Sequence, residues 1–299
     1  MNNLPASHPP AAGGIAVVRV FVSSGFGGNP VPLVADARGM SSQTMREIAR
    51  QHGFESAFVL PPSISGADWR FRFFVPGHEM EMCGHATVGA LWALRQWGLW
   101  STKTAVVETL SGEVAAYWDD RASCAWISQP EVDTTELSFD RLSAIADVLR
   151  IPAETTGLHA INACTSRVKT LIRMPDVAAL NALQPDFSRI RALCETLGST
   201  GLYPYALPAE QPNGSFHVHA RQFPEASGYP EDSATGIAAA ALWGWLRQSR
   251  TLADSAALCT VLQGEAMGSP SAIRIRTRLA EHGVAQGCWL SGDASWAGQ

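Results

Sequence analysis

The feature that most restricts the fold of this chain is a strand–loop–helix unit that occurs once in each half. In the first half Arg70 and Arg72 alternate with Phe71 and Phe73, the period of a half-buried strand, and the strand ends at Phe74-Val75-Pro76. Ten residues after that proline come Ala86-Thr87 and a helical stretch carrying Trp92. In the second half His217, His219 and Arg221 alternate before Phe223-Pro224, and ten residues after that proline come Ala234-Thr235 and a stretch carrying Trp243. Both stretches, ATVGALWALRQW from Ala86 to Trp97 and TGIAAAALWGWL from Thr235 to Leu246, are apolar nearly all round, so each helix is expected inside a domain. Two copies are too few for a solenoid and suit a pseudo-twofold pair of domains, with a ligand expected in the cleft between them.

The expected fold class is α+β: two pseudo-symmetric domains, each a curled, barrel-like β-sheet around a central buried helix. Strands are predicted at 16–22, 69–74, 105–110, 113–118 and 124–128, then at 168–174, 201–207, 215–223, 257–262, 271–276 and 284–290. A short helix capped by Ser41 or Ser42 puts Met45, Ile48 and Ala49 on one face and stops at Gly53. The stretch after the first strand, Ser23 to Pro30, reads as loop, and further helices are predicted at 177–183 and 187–197. Residues 1–14 read as a loose Pro/Ala/Gly-rich tail, 15–130 as the N-terminal domain joined by a C-terminal strand near 281–295, and 131–280 as the C-terminal domain.

Composition narrows the partners. With 299 residues, 46% of them hydrophobic, the chain has enough apolar surface for two cores. Its formal charge is −5, from 22 Lys+Arg against 27 Asp+Glu, with no basic run, which disfavours a binder of nucleic-acid backbones. No run of about 18 apolar residues is present to span a membrane, and the first residues lack the pattern of a secretory signal. A cytoplasmic protein with reduced thiols and a small-molecule ligand is expected. The six cysteines, Cys83, Cys124, Cys164, Cys194, Cys259 and Cys288, are scattered, so their spacing signals neither a zinc site nor a disulfide framework.

Superposed on their Ala-Thr pairs, the two loops set Cys83-Gly84-His85 against Glu231-Asp232-Ser233, each just before a buried helix. The free N–H groups and positive dipole end of a helix favour anions by typically about 0.3–1 kcal/mol. Two such ends suit a carboxylate substrate, with backbone N–H groups near Gly84, Ala86 and Gly236. The plainer reading is that Thr87 and Thr235 cap their helices and the glycines turn the loops.

These loops resemble a known family. The strings Gly28-Asn29-Pro30, His52-Gly53-Phe54-Glu55-Ser56-Ala57-Phe58-Val59, Cys83-Gly84-His85-Ala86-Thr87, Arg221-Gln222-Phe223-Pro224, Glu231-Asp232-Ser233-Ala234-Thr235-Gly236 and Gln263-Gly264 through Ser269-Pro270-Ser271 are similar to those of the PhzF-like family, the phenazine-biosynthesis isomerases and their relatives. They occur in family order from near residue 16 to near residue 290. The resemblance implies the diaminopimelate-epimerase-like fold, a homodimer, and an active site that uses neither metal nor cofactor. It also implies that Glu55 carries a proton between two carbons of a small, cyclic or unsaturated carboxylic acid, as general acid and base. His85 is implied to hydrogen-bond the substrate, and Asp232 to bind substrate or orient the reacting groups. Cys83, Gly84, Ala86, Ser233, Thr235, Gly236 and Ile237 complete the expected substrate-binding set.

Ile237 departs from the phenazine enzyme, which has a serine after the Thr-Gly of the second loop where it contacts substrate; an alkyl side chain makes no such hydrogen bond. Glu79, Glu81 and His159 carry no spacing that separates them from solvated surface. Two alternatives stay open. One is a racemase or epimerase using Cys83, since a thiol at a helix N-terminus ionises more readily, although the second loop has no partner cysteine. The other is a binding protein that keeps the pocket without turnover.

Overall fold

The computed structural model describes residues 8–152, 158–211, 215–252, 258–280 and 285–297. The chain divides into a first unit, 1–128 with 289–299, and a second unit, 129–288. In chain order the elements are β1 (Ile15–Val22), β2 (Asn29–Val34), α1 (Ser42–His52), β3 (Ser56–Leu60), β4 (Trp69–Phe74), β5 (Glu79–Met80), α2 (Gly84–Gln96), β6 (Thr104–Thr109), β7 (Gly112–Asp119) and β8 (Cys124–Gln129). There follow β9 (Asp133–Glu136), α3 (Phe139–Leu149), β10 (His159–Cys164), β11 (Val168–Arg173), α4 (Val177–Ala182), α5 (Phe187–Leu197), β12 (Gly201–Ala206), β13 (Phe216–Ala220) and β14 (Phe223–Pro224). The chain ends with α6 (Gly236–Gln248), β15 (Cys259–Gln263), β16 (Ser271–Leu279), β17 (Ala285–Ser291) and β18 (Asp293–Trp296).

The duplication seen in the sequence is a duplication of sheet topology, and the fold is α+β with the diaminopimelate-epimerase-like plan in each unit. In the first unit β1 pairs antiparallel with β2, β2 parallel with β3, β3 antiparallel with β4, β4 parallel with β6, and β6 antiparallel with β7. In the second the ladder from β10 through β11, β12, β13 and β15 to β16 runs antiparallel, parallel, antiparallel, parallel, antiparallel. Parallel neighbours need a crossover, and each unit has two: α1 and α2 in the first, α4 with α5 and then α6 in the second. The second crossover is the buried helix in both units.

Every residue of α2 from Gly84 to Leu94 is buried, as is every residue of α6 from Gly236 to Gly244. Helix α2 packs on β1, β2 and β3, and α6 on β10, β11 and β16. Small residues set the approach distance. A Cβ on Gly89 would lie 2.6 Å from Val20 Cγ2 on β1, and one on Gly244 would run into Val132. On β1 a register shift at Phe21, whose φ is 64°, breaks the alternation so that Val20 and Phe21 are both fully buried. A satellite core of Val34, Ala37, Met45, Ala49, Phe58 and Phe74 lies beneath α1, and a larger one holds α3, α4 and α5.

Several boundaries differ from the sequence reading. The loop expected from Ser23 to Pro30 stops two residues short, because β2 opens at Asn29 with prolines at 30 and 32; only Leu33 and Val34 pair with β3, so neither proline removes a donor from that ladder. Four elements were not read from the sequence: β3 directly after Glu55, buried on both faces and so without alternation, the short polar β9, helix α3 and the small-residue β10. The strand expected at 215–223 breaks into β13 and β14 because Arg221, between them, turns to an ion pair with Glu231. Of the expected tail, residues 1–7 lie outside the described residues, as do positions 257, 281–284 of the strands expected there. The end of the tail is tied down: Gly13 N–H donates to Asp36 O at 3.2 Å, and Pro9, Pro10 and Ala12 line a first-unit cavity of 560 Å³ with Trp69, Leu94 and Leu99. Among the described residues no helix is long and apolar enough to cross a membrane.

The contact of Gly89 with Val20 yields a prediction. Gly89→Val overpacks the α2–β1 contact and lowers stability by about 1–3 kcal/mol, read as a lower urea midpoint at unchanged m value. An unchanged midpoint would show that the sheet yields at this point.

Candidate active site

The position of Glu55 is set by a short transition between two elements, residues 53–55. Helix α1 starts where Ser41 accepts a hydrogen bond from the Thr44 N–H, and it ends at Gly53, whose φ of 70° lets its N–H close back on Ala49 O. Strand β3 begins at Ser56. Glu55 therefore has a fixed backbone on both sides, and only 8% of it is exposed.

The other half of the first-unit cluster comes from the entry into α2. Strand β4 turns through β5 and delivers Cys83 as the N-cap residue, with His85 in the first turn. The loop is pinned at its start by Arg72 on β4, whose guanidinium donates twice to the carboxylate of Glu79, both at 2.6 Å, and once to Ser42 Oγ at 2.8 Å. Glu79 is thus committed to Arg72. Thr87 does not cap α2: its hydroxyl donates to Cys83 O at 2.7 Å, fastening the helix to its own cap residue. The N–H groups of Gly84, His85 and Ala86 occupy the first turn, where helix geometry provides no internal acceptor.

Glu55, Cys83 and His85 meet as a triangle. The Cys83 thiol donates to Glu55 Oε2 at 3.2 Å, His85 Nδ1 lies 3.3 Å from the same oxygen, and Cys83 Sγ is 3.4 Å from Nδ1. His85 is 2% exposed and Cys83 4%. Burial holds the His85 pKa below its ordinary value of 6.5, opposed in part by the Glu55 charge, so the imidazole is neutral at neutral pH. A carboxylate, a thiol and a neutral imidazole in mutual contact can pass a proton, and their ligand atoms are close enough to share one cation. Elsewhere burial pushes the thiols of Cys194 and Cys259 up to about 12 and that of Cys288 higher still, as expected of apolar core residues.

The second-unit loop is held by a denser network. Arg221, 6% exposed, donates to both carboxylate oxygens of Glu231 at 2.9 and 2.8 Å, and its remaining nitrogen reaches Leu180 O and Leu183 O. Glu231 is accordingly structural. Asp232, 7% exposed, accepts a short hydrogen bond from Thr235 Oγ1, and its backbone N–H donates to Gln222 O. Thr235 is the N-cap residue of α6 by position, yet its hydroxyl serves Asp232 rather than the helix. The amide of Gln263 ties these groups together: Nε2 donates to Asp232 O at 2.7 Å, and Oε1 accepts from Thr235 N and from the Tyr203 hydroxyl at 2.9 Å. Ser271 Oγ donates to Ser233 O at 2.7 Å. At Gly264, φ is 78° and a Cβ would meet Ser233 O at 2.9 Å, so only glycine allows that approach. Ile237 follows Gly236 in the first turn of α6 and is buried.

Gln263, Tyr203 and the two arginine–glutamate pairs were not singled out as site residues from sequence. The Gln263-Gly264 string was visible, but its partners lie on distant elements. His159 stacks on Trp245 at 5.4 Å, and Glu81 contributes its carbonyl to Ser111 N–H.

Comparison with known proteins adds the lineage of this arrangement. The sequence pattern of the family described as phenazine biosynthesis-like protein matches residues 18–297. A Pseudomonas aeruginosa trans-2,3-dihydro-3-hydroxyanthranilate isomerase is 31% identical over 264 residues, covering 87% of this chain and 88% of that protein. A Deinococcus radiodurans protein named as an uncharacterized isomerase is 30% identical over 273 residues, covering 88% and 86%. The crystal structure of a Bacillus anthracis phenazine biosynthesis protein of the PhzF family superposes with a TM-score of 0.81 at 22% identity, over 94% of this chain and 96% of that one, and so shares the fold.

Two predictions follow from the geometry. Because the His85 pKa is lowered on folding, the unfolded chain binds the extra proton first. Stability from this group is therefore full above about pH 6.5 and falls as pH drops below it toward the folded value. His85→Asn should flatten the wild-type fall in urea midpoint between neutral pH and pH 5; equal slopes would discount the buried imidazole. Glu231→Gln leaves the Arg221 charge buried with half its partner and should cost about 3–5 kcal/mol, whereas Arg221→Met with Glu231→Leu costs much less. Equal losses in the single and double variants would contradict the pairing.

Proposed function

The chain belongs to the phenazine biosynthesis-like family, and from that premise we propose that it is an isomerase that moves a proton within a small, cyclic or unsaturated carboxylic acid without a cofactor, Glu55 serving as the acid and base. The observation that carries this reading is the buried Glu55 carboxylate, held between a thiol and a neutral imidazole at the open end of a helix. Glu55 takes a proton from one carbon, the double bond shifts through an enol, and the same carboxyl returns a proton to a second carbon. No atom is gained and no electron is lost. A carboxyl suits the task because its two oxygens can receive and release the proton at different points, a service of typically about 10²–10⁴-fold in rate.

His85, neutral and buried, is proposed to hydrogen-bond the substrate, and the N–H groups of Gly84 and Ala86, with Cys83 beside them, to hold its carboxylate. Asp232 is proposed to bind substrate or orient the reacting groups, with Ser233, Thr235, Gly236 and Ile237 in its neighbourhood of the sequence contributing backbone and shape. Ile237 offers no hydroxyl, so the proposed substrate lacks the polar group that a serine there would recognise. The dihydro-hydroxyanthranilate of the Pseudomonas aeruginosa relative is a model for the substrate class rather than the substrate itself. A homodimer is proposed on family grounds; a solution mass equal to the 32.0 kDa chain would overturn it.

The contact between Cys83 and Glu55 favours one second reading, a thiol-dependent epimerase. The test is deuterium uptake into dihydroanthranilate-like acids in heavy water, followed by mass spectrometry. On the glutamate reading Glu55→Gln lowers uptake by about 10²–10⁴-fold while ligand still binds, and Cys83→Ala retains part of it. Uptake that requires Cys83 and tolerates Glu55→Gln would install the epimerase in its place, and binding with no uptake in the unaltered protein would leave a binding protein.

A further inference from the structure

We propose that Glu55, Cys83 and His85 form a binding site for a thiophilic divalent cation of the zinc type, and that its occupation arrests the isomerase. The inhibitory half rests on the reading of Glu55 as the acid and base; the binding half stands on geometry alone. Zinc holds sulfur at ~2.3 Å and nitrogen or oxygen at ~2.0–2.2 Å in a tetrahedron, so adjacent ligand atoms lie about 3.3–3.6 Å apart. The three edges found here are 3.2 Å from Sγ to Oε2, 3.4 Å from Sγ to Nδ1 and 3.3 Å from Oε2 to Nδ1. They describe one face of that tetrahedron to within a few tenths of an ångström, with the fourth corner left to water or to a substrate carboxylate. Among the described residues no other three His, Cys, Asp or Glu side chains converge in this way.

A triangle of hydrogen bonds has similar edges, but a proton joins two of its corners at a time, and both Sγ and Nδ1 compete for Oε2. A cation at the centre satisfies all three donors at once. The donors are also preset. Cys83 and His85 are fixed at the cap and first turn of α2, and Glu55 lies between the end of α1 and the start of β3, so binding orders little that folding has not ordered already. The helix end weakly opposes a cation, against which a thiolate and a carboxylate supply two negative charges. Sulfur with imidazole selects zinc over magnesium or calcium, which prefer oxygen. On binding, the S–H bond of Cys83 breaks, a metal–sulfur bond forms and the proton leaves to solvent, with no change of oxidation state. Glu55, now a ligand, has lost the oxygen it needs for proton transfer.

The test uses the full chain freed of metal by a chelator. Titrated with Co²⁺, it should take up one equivalent with a thiolate-to-cobalt charge-transfer band in the near ultraviolet, which Zn²⁺ then displaces. Cys83→Ser should lose the band and weaken binding at least about tenfold, while Cys164→Ser keeps it. X-ray absorption at the zinc edge of the loaded wild-type chain, which needs no variant to fold, should show one sulfur at ~2.3 Å beside nitrogen and oxygen. Zn²⁺ should also stop deuterium uptake until chelator is added. No band, or a zinc shell without sulfur, overturns the site. A band with uptake indifferent to zinc overturns the inhibition. A band with no uptake under any condition supports the site and counts against the isomerase reading instead.

Discussion

Everything chemical in this protein depends on a helix with no face for water. A helix that is apolar all round must be enclosed by sheet, and its first-turn N–H groups then end inside protein, where an unsatisfied donor costs about 1–3 kcal/mol. In both units the residues that enter the helix are the polar ones: Cys83 and His85 before and within the start of α2, and Asp232, Ser233 and Thr235 before α6. The same enclosure that builds the core creates an electropositive, sheltered spot. Duplication of the strand–helix unit duplicated that spot, and the two copies then diverged in chemistry, one toward a carboxylate, thiol and imidazole, the other toward an aspartate in a hydroxyl and amide network.

A sheltered spot needs rigid walls, and both loops acquire them by pairing arginine with glutamate. Arg72 holds Glu79 in the first unit and Arg221 holds Glu231 in the second, each by two parallel hydrogen bonds that fix direction as well as distance. The two pairs fall at different offsets from their Ala-Thr marks, so residues at different places in the repeat perform the same task in the two units. The second is the more buried and is supplemented by Gln263, which accepts from Tyr203 and Thr235 and donates to Asp232. An amide is suited to that place because it donates and accepts at once and carries no charge to be desolvated.

The core helices, the topology of the repeat and the position of Glu55 after the Gly53 stop were legible in the sequence because each rests on a local rule: periodicity, helix capping, or equal spacing. Contacts between residues brought together from afar left no mark in spacing or periodicity, and only the family resemblance set Glu55, His85 and Asp232 in one expected site. Glu55 and Cys83 are 28 positions apart, and a Cys-x-His step resembles no zinc motif, so cysteine spacing gave no sign of the triangle they form with His85. Gln263 and Tyr203 are 60 positions apart and become partners only through the strand ladders. The misread β2 has a local cause: Pro30 and Pro32 signal a turn, and only the ladder shows that their missing donors fall where no neighbour asks for them. The reading of Thr87 as a cap failed for a similar reason, since the true cap is the cysteine four residues earlier and the threonine merely bonds back to it.

The triangle at Glu55 sets a carboxylate, a thiol and an imidazole against one another. Each group modifies the other two. The imidazole, kept neutral by burial, adds no positive charge to the cluster, and the thiol donates to Oε2 of Glu55 at 3.2 Å. Within such a cluster one anion is favoured over two, since like charges in contact repel. On the proposed reading Glu55 holds that charge as the base, which sets the balance between the two groups. That balance reverses only when a further positive charge enters the triangle, which is the condition under which the thiol too becomes a ligand.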